Sequence, residues 1–302
     1  MELPVQIGSL RMRNPVLVAS GTFGYGPEYA DLVDIDRLGA IVVKGIAMEP
    51  TTGNPTDRTF EVESGLINAI GLPNPGFQGF VDQYMPFLRQ HEVPVIVNIW
   101  GRTIEDYEQV AAAFDGVEGV HGLELNVSCP NIKEGSAMFG TCEETFRRVV
   151  RGVRQQTKLP LIPKLAPNVT DIRVFARAAE ECGADAISLI NSIPAMAIDI
   201  ETRRPRIANV TGGLTGPAIR PIALKLVRDA ASAVSIPVIG MGGIATASDA
   251  LEFMIAGASA VAVGTANFAC PNTAMDVIDG IFGYFYDHGL SAIPELCGTL
   301  RT

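Results

Sequence analysis

The segment Gly122-Leu-Glu-Leu-Asn-Val-Ser-Cys-Pro-Asn131 joins an apolar strand to a polar turn. The turn carries Asn126, Cys129 and Asn131. Pro130 fixes its own φ and favours an extended conformation at Cys129, so the thiol has a defined direction. Free cysteine is also among the most buried residue types. The segment alone therefore leaves a packing role and an active-site role open.

The same strand pattern recurs along the chain, with amphipathic runs between the strands. The strand candidates are Pro15–Ala19, Ala40–Lys44, Val93–Asn98, Gly122–Asn126, Leu161–Leu165, Ala186–Asn191, Pro237–Met241 and Ala260–Gly264. The helix candidates between them include Ile104–Phe114, Glu143–Gln156, Ile172–Cys182, Ala218–Val234 and Ser248–Ala256. The strands are almost continuously apolar, as strands buried on both faces are. Alternating units of this kind predict an α/β fold, a closed (β/α)8 TIM barrel with parallel strands.

Other features agree with a single barrel domain over residues 1–302. An open doubly wound sheet predicts an early G-x-G-x-x-G turn, whereas the first strand here ends in Ala19-Ser-Gly-Thr-Phe-Gly24. Residues 46–76 and 192–217 are insertions that leave C-terminal strand ends, which is the functional face of such barrels. Val5–Arg13 is predicted to form an N-terminal hairpin across the opposite end.

Composition excludes several classes of function. The net charge of −10 and the pI near 4.9 disfavour a nucleic-acid partner, because no basic stripe can neutralise phosphates. No apolar run approaches the roughly 18 residues of a membrane span, and the N-terminus does not resemble a signal peptide, so we expect a cytoplasmic protein without membrane association. The five cysteines include no C-x-x-C pair, which disfavours a metal centre or an iron–sulfur cluster in this chain.

Polar residues collect at the predicted C-terminal strand ends. Lys44 and Lys164 lie in otherwise apolar strands, where burial is costly without an anionic partner. Three asparagines end other strands, namely Asn98, Asn126 and Asn191, and Asn68 lies in the first insertion. Together they indicate recognition of a ligand that has imide and carboxylate edges. The last two strands are followed by Gly242-Gly243 and Gly264-Thr265, which are placed where such barrels bind phosphate. Tight βα turns are the alternative explanation for these glycines, and their location favours phosphate binding.

These residues predict a barrel that binds a phosphate-bearing cofactor beside a positioned thiol. An electron-accepting cofactor opposite a thiol suits proton abstraction, and a cysteine pKa near 8.5 is close enough to neutral for a general base. We expect Trp100, the only tryptophan, to pack at the barrel end.

Four motifs in order resemble the class 1 dihydroorotate dehydrogenases. They are Asn68-Ala-Ile-Gly-Leu-Pro-Asn74, Asn126-Val-Ser-Cys-Pro-Asn131, Gly212-Gly-Leu-Thr-Gly-Pro217 and Gly240-Met-Gly-Gly-Ile244. The match covers essentially the whole chain. Within the family, the chain is most similar to the catalytic subunit of subclass 1B. In that family the cofactor is FMN, and the resemblance implies that Cys129 removes the C5 proton of dihydroorotate while the C6 hydride passes to flavin N5, which gives orotate.

The resemblance also implies a role for each matching residue. Substrate contacts would come from Lys44, Asn68, Ala69, Ile70, Gly71, Leu72, Asn126, Asn131, Asn191 and Ser192. Flavin contacts would come from Ser20, Gly21, Lys44, Gly45, Asn98, Asn126, Lys164, Ile190, Gly216, Gly242, Gly243, Gly264 and Thr265. Lys164 would stand at the N1–C2 edge of the flavin, and no metal site is implied. The hydroxyl residue after Asn191 is commonly threonine in the family and is Ser192 here.

The resemblance further implies a partner protein. Subclass 1B catalytic subunits form a homodimeric core that pairs with a subunit carrying FAD and a [2Fe-2S] cluster, and this heterotetramer passes electrons to NAD. Three alternatives stay open: a subclass 1A-like enzyme that uses fumarate, a phosphate-binding barrel lyase with Lys164 as a Schiff-base lysine, and a non-catalytic binding subunit.

Overall fold

The centre of the molecule is a closed barrel of eight parallel strands, as the alternating pattern predicted. The computed structural model describes residues 2–127 and 139–301. In chain order its strands are β1 (Val5–Ile7), β2 (Leu10–Met12), β3 (Val16–Val18), β4 (Ala40–Ile46), β5 (Thr59–Val62), β6 (Gly65–Asn68), β7 (Val95–Ile99), β8 (Gly122–Asn126), β9 (Leu161–Lys164), β10 (Ile187–Leu189), β11 (Ile193–Ala195), β12 (Ile198–Asp199), β13 (Arg204–Pro205), β14 (Gly212–Thr215), β15 (Val238–Met241) and β16 (Ala260–Val263). Around the barrel the order is β3, β4, β7, β8, β9, β10, β15, β16 and back to β3.

Helices surround the barrel. They are α1 (Gly76–Gln83), α2 (Met85–Leu88), α3 (Ile104–Phe114), α4 (Glu143–Gln156), α5 (Ile172–Glu181), α6 (Arg220–Ala231), α7 (Ala247–Ala256), α8 (Ala266–Ala269) and α9 (Thr273–Asp287). Two of them begin at capping boxes, in which Thr103 and Thr246 accept from the backbone N–H three residues on. The predicted helix Ala218–Val234 is too long at both ends, because Pro217–Ile219 forms a 3-10 turn before α6, Pro221 occupies its first turn, and α6 ends at Ala231.

Strands β1 and β2 form the expected antiparallel hairpin. Ile7 and Met12 are fully buried, and Gly8 at the turn approaches Asp185, which precedes β10. The hairpin therefore covers the N-terminal end of the barrel and leaves the C-terminal end free for a site.

The two insertions build one structure at the opposite end. Strands β5 and β6 come from the first insertion, β11 and β14 from the second, and together they form an antiparallel sheet in the order β11-β14-β6-β5. Gly213 pairs with Asn68, and Leu214 pairs with Ile193. Two segments that are more than a hundred residues apart thus become neighbours above the barrel.

The described part of the chain contains no helix with both the length and the apolar character needed to cross a bilayer.

Candidate active site

The parallel register brings the predicted polar residues to one end of the barrel. Asn126 pairs with Lys164, which in turn pairs with Ser188. Asn98 lies one residue before the end of β7, and Ser20 follows β3. Lys44 lies two residues inside β4 and does not end that strand, which continues to Ile46. The C-terminal strand ends therefore form one contiguous polar surface, as the sequence predicted.

A buried polar cluster fills the barrel below this surface, and its centre is Glu124 on β8. One carboxylate oxygen, Oε1, accepts from Asn98 Nδ2 at 2.6 Å and lies 3.7 Å from Lys164 Nζ. The other oxygen, Oε2, accepts from Ser188 Oγ at 2.9 Å. Lys164 Nζ also donates to Ser20 Oγ at 3.3 Å. Because Glu124 supplies a counter-ion, the cost of burying the Lys164 ammonium is offset.

Lys44 has a different environment. Burial lowers the pKa of Lys44 below its ordinary value, and the neighbouring charge of Arg58 lowers it further, while Glu28 acts in the opposite direction. A half-buried lysine without sufficient negative charge around it would gain from an anionic ligand. Lys44 is therefore suited to bind a carboxylate.

Amide groups form the roof of the site. Asn191 Nδ2 donates to Asn126 Oδ1 at 3.3 Å, and Asn191 Oδ1 accepts from the N–H of Ser192 at 2.8 Å. Asn68 Nδ2 donates to the carbonyl of Gly213 at 3.2 Å. A Cβ at Gly213 would lie 1.9 Å from Ser192 Oγ, so only glycine permits this approach. The insertion sheet thus gathers Asn68, Asn126, Asn191 and Ser192 into one group.

The segment Asn68–Leu72 passes above the barrel with its carbonyls bonded to the preceding loop. Asn54 donates to the carbonyls of Ala69 and Ile70, and Thr51 Oγ1 donates to that of Leu72 at 2.6 Å. Gly71 and Leu72 have φ values of 80° and 54°. Leu72 Cδ2, Asn98 Oδ1 and the indole of Trp100 all converge on Gly45, at 3.5, 2.9 and 3.2 Å from the position of a Cβ there.

Glycine turns form a cradle on the opposite side of the barrel end. Gly216, Gly242 and Gly243 have φ values of 94°, 122° and 82°. A Cβ at Gly243 would lie 2.9 Å from the Gly216 carbonyl oxygen and 3.0 Å from the Arg220 nitrogen, where α6 begins. One at Gly242 would lie 3.4 Å from Ile190. The backbone here approaches more closely than side chains allow, next to a helix N-terminus, which is the setting that binds phosphate.

The remaining predicted cofactor residues lie beside this cradle. The backbone N–H of Ala19 donates to the Val263 carbonyl at 2.8 Å, which brings Ser20 and Gly21 next to Gly264 and Thr265. Nothing lies within 4 Å of the position that a Cβ of Gly21 would occupy. The glycine turns and the Glu124 cluster therefore belong to one end of one barrel.

Two predicted residues, Cys129 and Asn131, lie outside the described residues. The described residues on either side of them are joined by a hydrogen bond, in which the Gly140 N–H donates to the Val127 carbonyl at 2.9 Å. Tyr107 supports this strand end by donating from its hydroxyl to the Asn126 carbonyl at 2.7 Å. Trp100 packs in the core as expected and is 6% exposed.

The sequence alone did not indicate a functional role for Glu124, Ser188 or Asn74. A carboxylate within an apolar strand was the available signal for Glu124. Asn74 anchors the Leu72 segment, donating to the Leu72 carbonyl at 2.9 Å. No group of three or more His, Cys, Asp or Glu side chains within residues 2–127 and 139–301 could hold a metal ion.

A sequence model of the family described as dihydroorotate dehydrogenase matches residues 2–284. The chain belongs to the dihydroorotate dehydrogenase family. Proteins called "Dihydroorotate dehydrogenase B (NAD(+)), catalytic subunit" are similar over the full length. The protein from Geobacter sp. (strain M21) is 50% identical over 99% of this chain and 98% of its own length. That from Thermoanaerobacter pseudethanolicus is 52% identical over 100% and 99%.

The family match confirms the resemblance read from the four motifs, and the names of these relatives confirm its subclass. In this chain the buried Lys164 ammonium, the amide roof and the glycine cradle meet at one end of the barrel.

Proposed function

We propose that this chain oxidises dihydroorotate to orotate in pyrimidine biosynthesis, with FMN as its cofactor and NAD as the final acceptor through a partner subunit. The observation that carries the proposal is the union, at one barrel end, of the buried Lys164 ammonium with the glycine cradle at the start of α6. A flavin mononucleotide needs both features, because it has a ring that becomes more negative on reduction and a terminal phosphate.

The residues present fit FMN. Gly216, Gly242, Gly243, Gly264 and Thr265 would hold the phosphate, because the cradle is too close for side chains and lies beside a helix N-terminus. Ser20, Gly21, Gly45, Asn98, Asn126, Lys164 and Ile190 would line the ring. When bound, the flavin supplies the acceptor for the hydride that leaves substrate C6. Lys164 would place a fixed positive charge at the edge of the ring, where it costs no reorganisation.

The substrate would lie under the amide roof. Lys44 would pair with the carboxylate of dihydroorotate, and Asn68, Asn126, Asn131 and Asn191 would bind the polar edges of its ring, with Ser192 behind them. The segment Ala69–Leu72 would cover the ring and exclude water. Cys129 would take the proton from C5 as a general base, since a thiol titrates close to neutral pH.

A partner subunit is supported by the names of the relatives, which call them catalytic subunits of dihydroorotate dehydrogenase B (NAD(+)). We propose a homodimer of this chain joined to a subunit that carries FAD and a [2Fe-2S] cluster, in the cytoplasm, with 1–302 acting as one domain. Fumarate would then be a poor acceptor.

The geometry disfavours a Schiff-base lyase. Lys164 Nζ is held between Glu124 and Ser20, and the side chain is only 7% exposed. A nucleophilic lysine must be neutral and accessible to a carbonyl carbon, whereas this one has a carboxylate counter-ion. A non-catalytic binding subunit would show no turnover of dihydroorotate with an artificial dye, whereas the proposed enzyme would reduce the dye.

The test is dihydroorotate oxidation by the isolated chain with an artificial dye as acceptor. We expect dye reduction without a partner, no reduction of NAD until the partner subunit is added, and little reduction of fumarate. Absence of dye reduction by flavin-loaded protein would contradict the proposed reaction, and efficient use of fumarate would contradict only the proposed acceptor.

A further inference from the structure

Glu124 is the most buried charged group at the site, and the function proposed above gives it no role. It is 1% exposed, and its two carboxylate oxygens contact residues from three other barrel strands: Asn98 on β7, Lys164 on β9 and Ser188 on β10. Two of these residues, Asn98 and Lys164, are themselves proposed flavin contacts. Glu124 therefore lies directly behind the flavin-binding surface.

The carboxylate fixes which way the Asn98 amide points. An ionised carboxylate only accepts hydrogen bonds, so Asn98 must direct Nδ2 toward Glu124, and the observed distance is 2.6 Å. The amide oxygen then faces the other way, where a Cβ at Gly45 would lie 2.9 Å from Oδ1. Asn98 is thus presented to the ligand as an acceptor.

The same carboxylate holds the Lys164 side chain. Its oxygen Oε1 is 3.7 Å from Nζ, and Lys164 is 6% exposed. A buried ammonium without a counter-ion is left uncompensated and is free to change rotamer. Ser20, its other hydrogen-bond partner, carries no charge. Glu124 is the carboxylate paired with Lys164 among the residues that the structure describes.

We propose that Glu124 is a positioning residue, which sets Asn98 as an acceptor and holds the Lys164 ammonium in place at the flavin edge. This inference rests on the function proposed above. Glu124 does not touch the ligand, and it acts through the two residues that do.

The first experiment does not depend on the flavin. Flavin-free wild type and Glu124→Gln are treated with formaldehyde and a mild reductant, and methylation of each lysine is followed by mass spectrometry. We expect Lys164 to react at least tenfold faster in the variant, because the amine loses its counter-ion. Lys225, whose side chain is 71% exposed, is an internal reference and should react at equal rates in both proteins. Equal labelling of Lys164 would overturn the proposal.

The second experiment measures the reduction potential of the bound flavin at pH 6.5. Glu124→Gln should lower it, because the Lys164 ammonium is no longer held where it stabilises the reduced ring; the expected shift of the reduction equilibrium is at least tenfold, which is about 30 mV for a two-electron couple. A protein that also carries Lys164→Met should show a smaller effect of the same change. An unchanged potential in Glu124→Gln, or an equal shift in the Lys164→Met background, would contradict the proposal.

Asp185→Asn is the matched control for loss of a charge pair. Asp185 accepts from Arg154 Nη1 and from the Leu161 N–H, both at 2.9 Å, at the opposite end of the barrel. This variant should lower stability without moving the potential or the labelling of Lys164; if it moves both, Glu124 has only a structural role. A wild type that binds no flavin would contradict the proposed function, and the labelling result would still decide the role of Glu124.

Discussion

Among single residues, Lys44 offers the clearest pH-dependent behaviour. Burial and the charge of Arg58 lower its pKa, so the ammonium is lost at a lower pH than in an exposed lysine. Binding of orotate requires the charged form and should weaken as pH rises through this pKa. Orotate affinity measured by flavin absorbance across pH would show the decline. In Arg58→Gln the decline should move to higher pH, since a repelling charge is removed.

Lys44→Met is the control for this behaviour. This variant should bind orotate weakly at every pH. Its orotate affinity should not show the decline with rising pH that deprotonation of Lys44 causes in the wild type. An identical pH profile in Lys44→Met and wild type, or a shift to lower pH in Arg58→Gln, would refute the assignment of Lys44 as the carboxylate-binding group.

The Glu124–Lys164 pair makes a separate prediction about stability. Removing one member of a buried pair leaves an uncompensated charge and costs about 3–5 kcal/mol. We expect this loss in Glu124→Gln and in Lys164→Met, whereas the double variant should lose much less than the sum of both. Urea unfolding of the flavin-free proteins measures the coupling. Additive losses would show that the two charges do not stabilise each other.

At the scale of elements, the glycine cradle is defined by approach distances. Gly243→Ala places a Cβ 2.9 Å from the Gly216 carbonyl oxygen at a φ of 82°. The turn must move away from the start of α6, so FMN affinity should fall at least tenfold. Riboflavin affinity should change less, because riboflavin lacks the phosphate. Titration of flavin-free protein with both ligands distinguishes these effects.

Gly257→Ala is a matched control outside the cradle. Gly257 ends α7 with a φ of 123°, and a Cβ there would lie 2.6 Å from that of Ala231. This variant should lose stability and keep its preference for FMN over riboflavin. Equal loss of both ligands in Gly243→Ala would mean that the cradle does not hold the phosphate.

The helices and strands also differ in how well the sequence predicted their bounds. Helices α3 and α4 have the predicted bounds, because each has a strong apolar face and α3 begins at a capping box. Strand β8 also has its predicted bounds. The insertion sheet was not predicted: β6 pairs with β14 over a long sequence separation, and the largely half-buried residues of these two strands lack the clear alternation that β5 has. Such pairing depends on where the barrel places each loop.

For the whole molecule, the barrel was predictable because each strand is buried on both faces and each unit ends in a turn. The placement of Lys44, Asn98, Asn126 and Lys164 at one end followed from parallel pairing alone. The link between Glu124, Asn98 and Lys164 was not predictable, because it crosses the barrel interior and depends on side-chain reach. The pattern of a strand predicts at which end of the barrel a residue lies, but it does not predict which side chain that residue contacts.

Oxidation of dihydroorotate on a bound flavin, with Cys129 as base, predicts the outcome of a single anaerobic measurement. Dihydroorotate is mixed with flavin-loaded protein, and flavin absorbance and orotate are followed together. Wild type should bleach completely and form one orotate per flavin, while Cys129→Ala should keep its flavin and bleach at least a thousandfold more slowly, a loss of about 4 kcal/mol. Wild type that stays yellow, or Cys129→Ala that bleaches at the wild-type rate, would contradict the account.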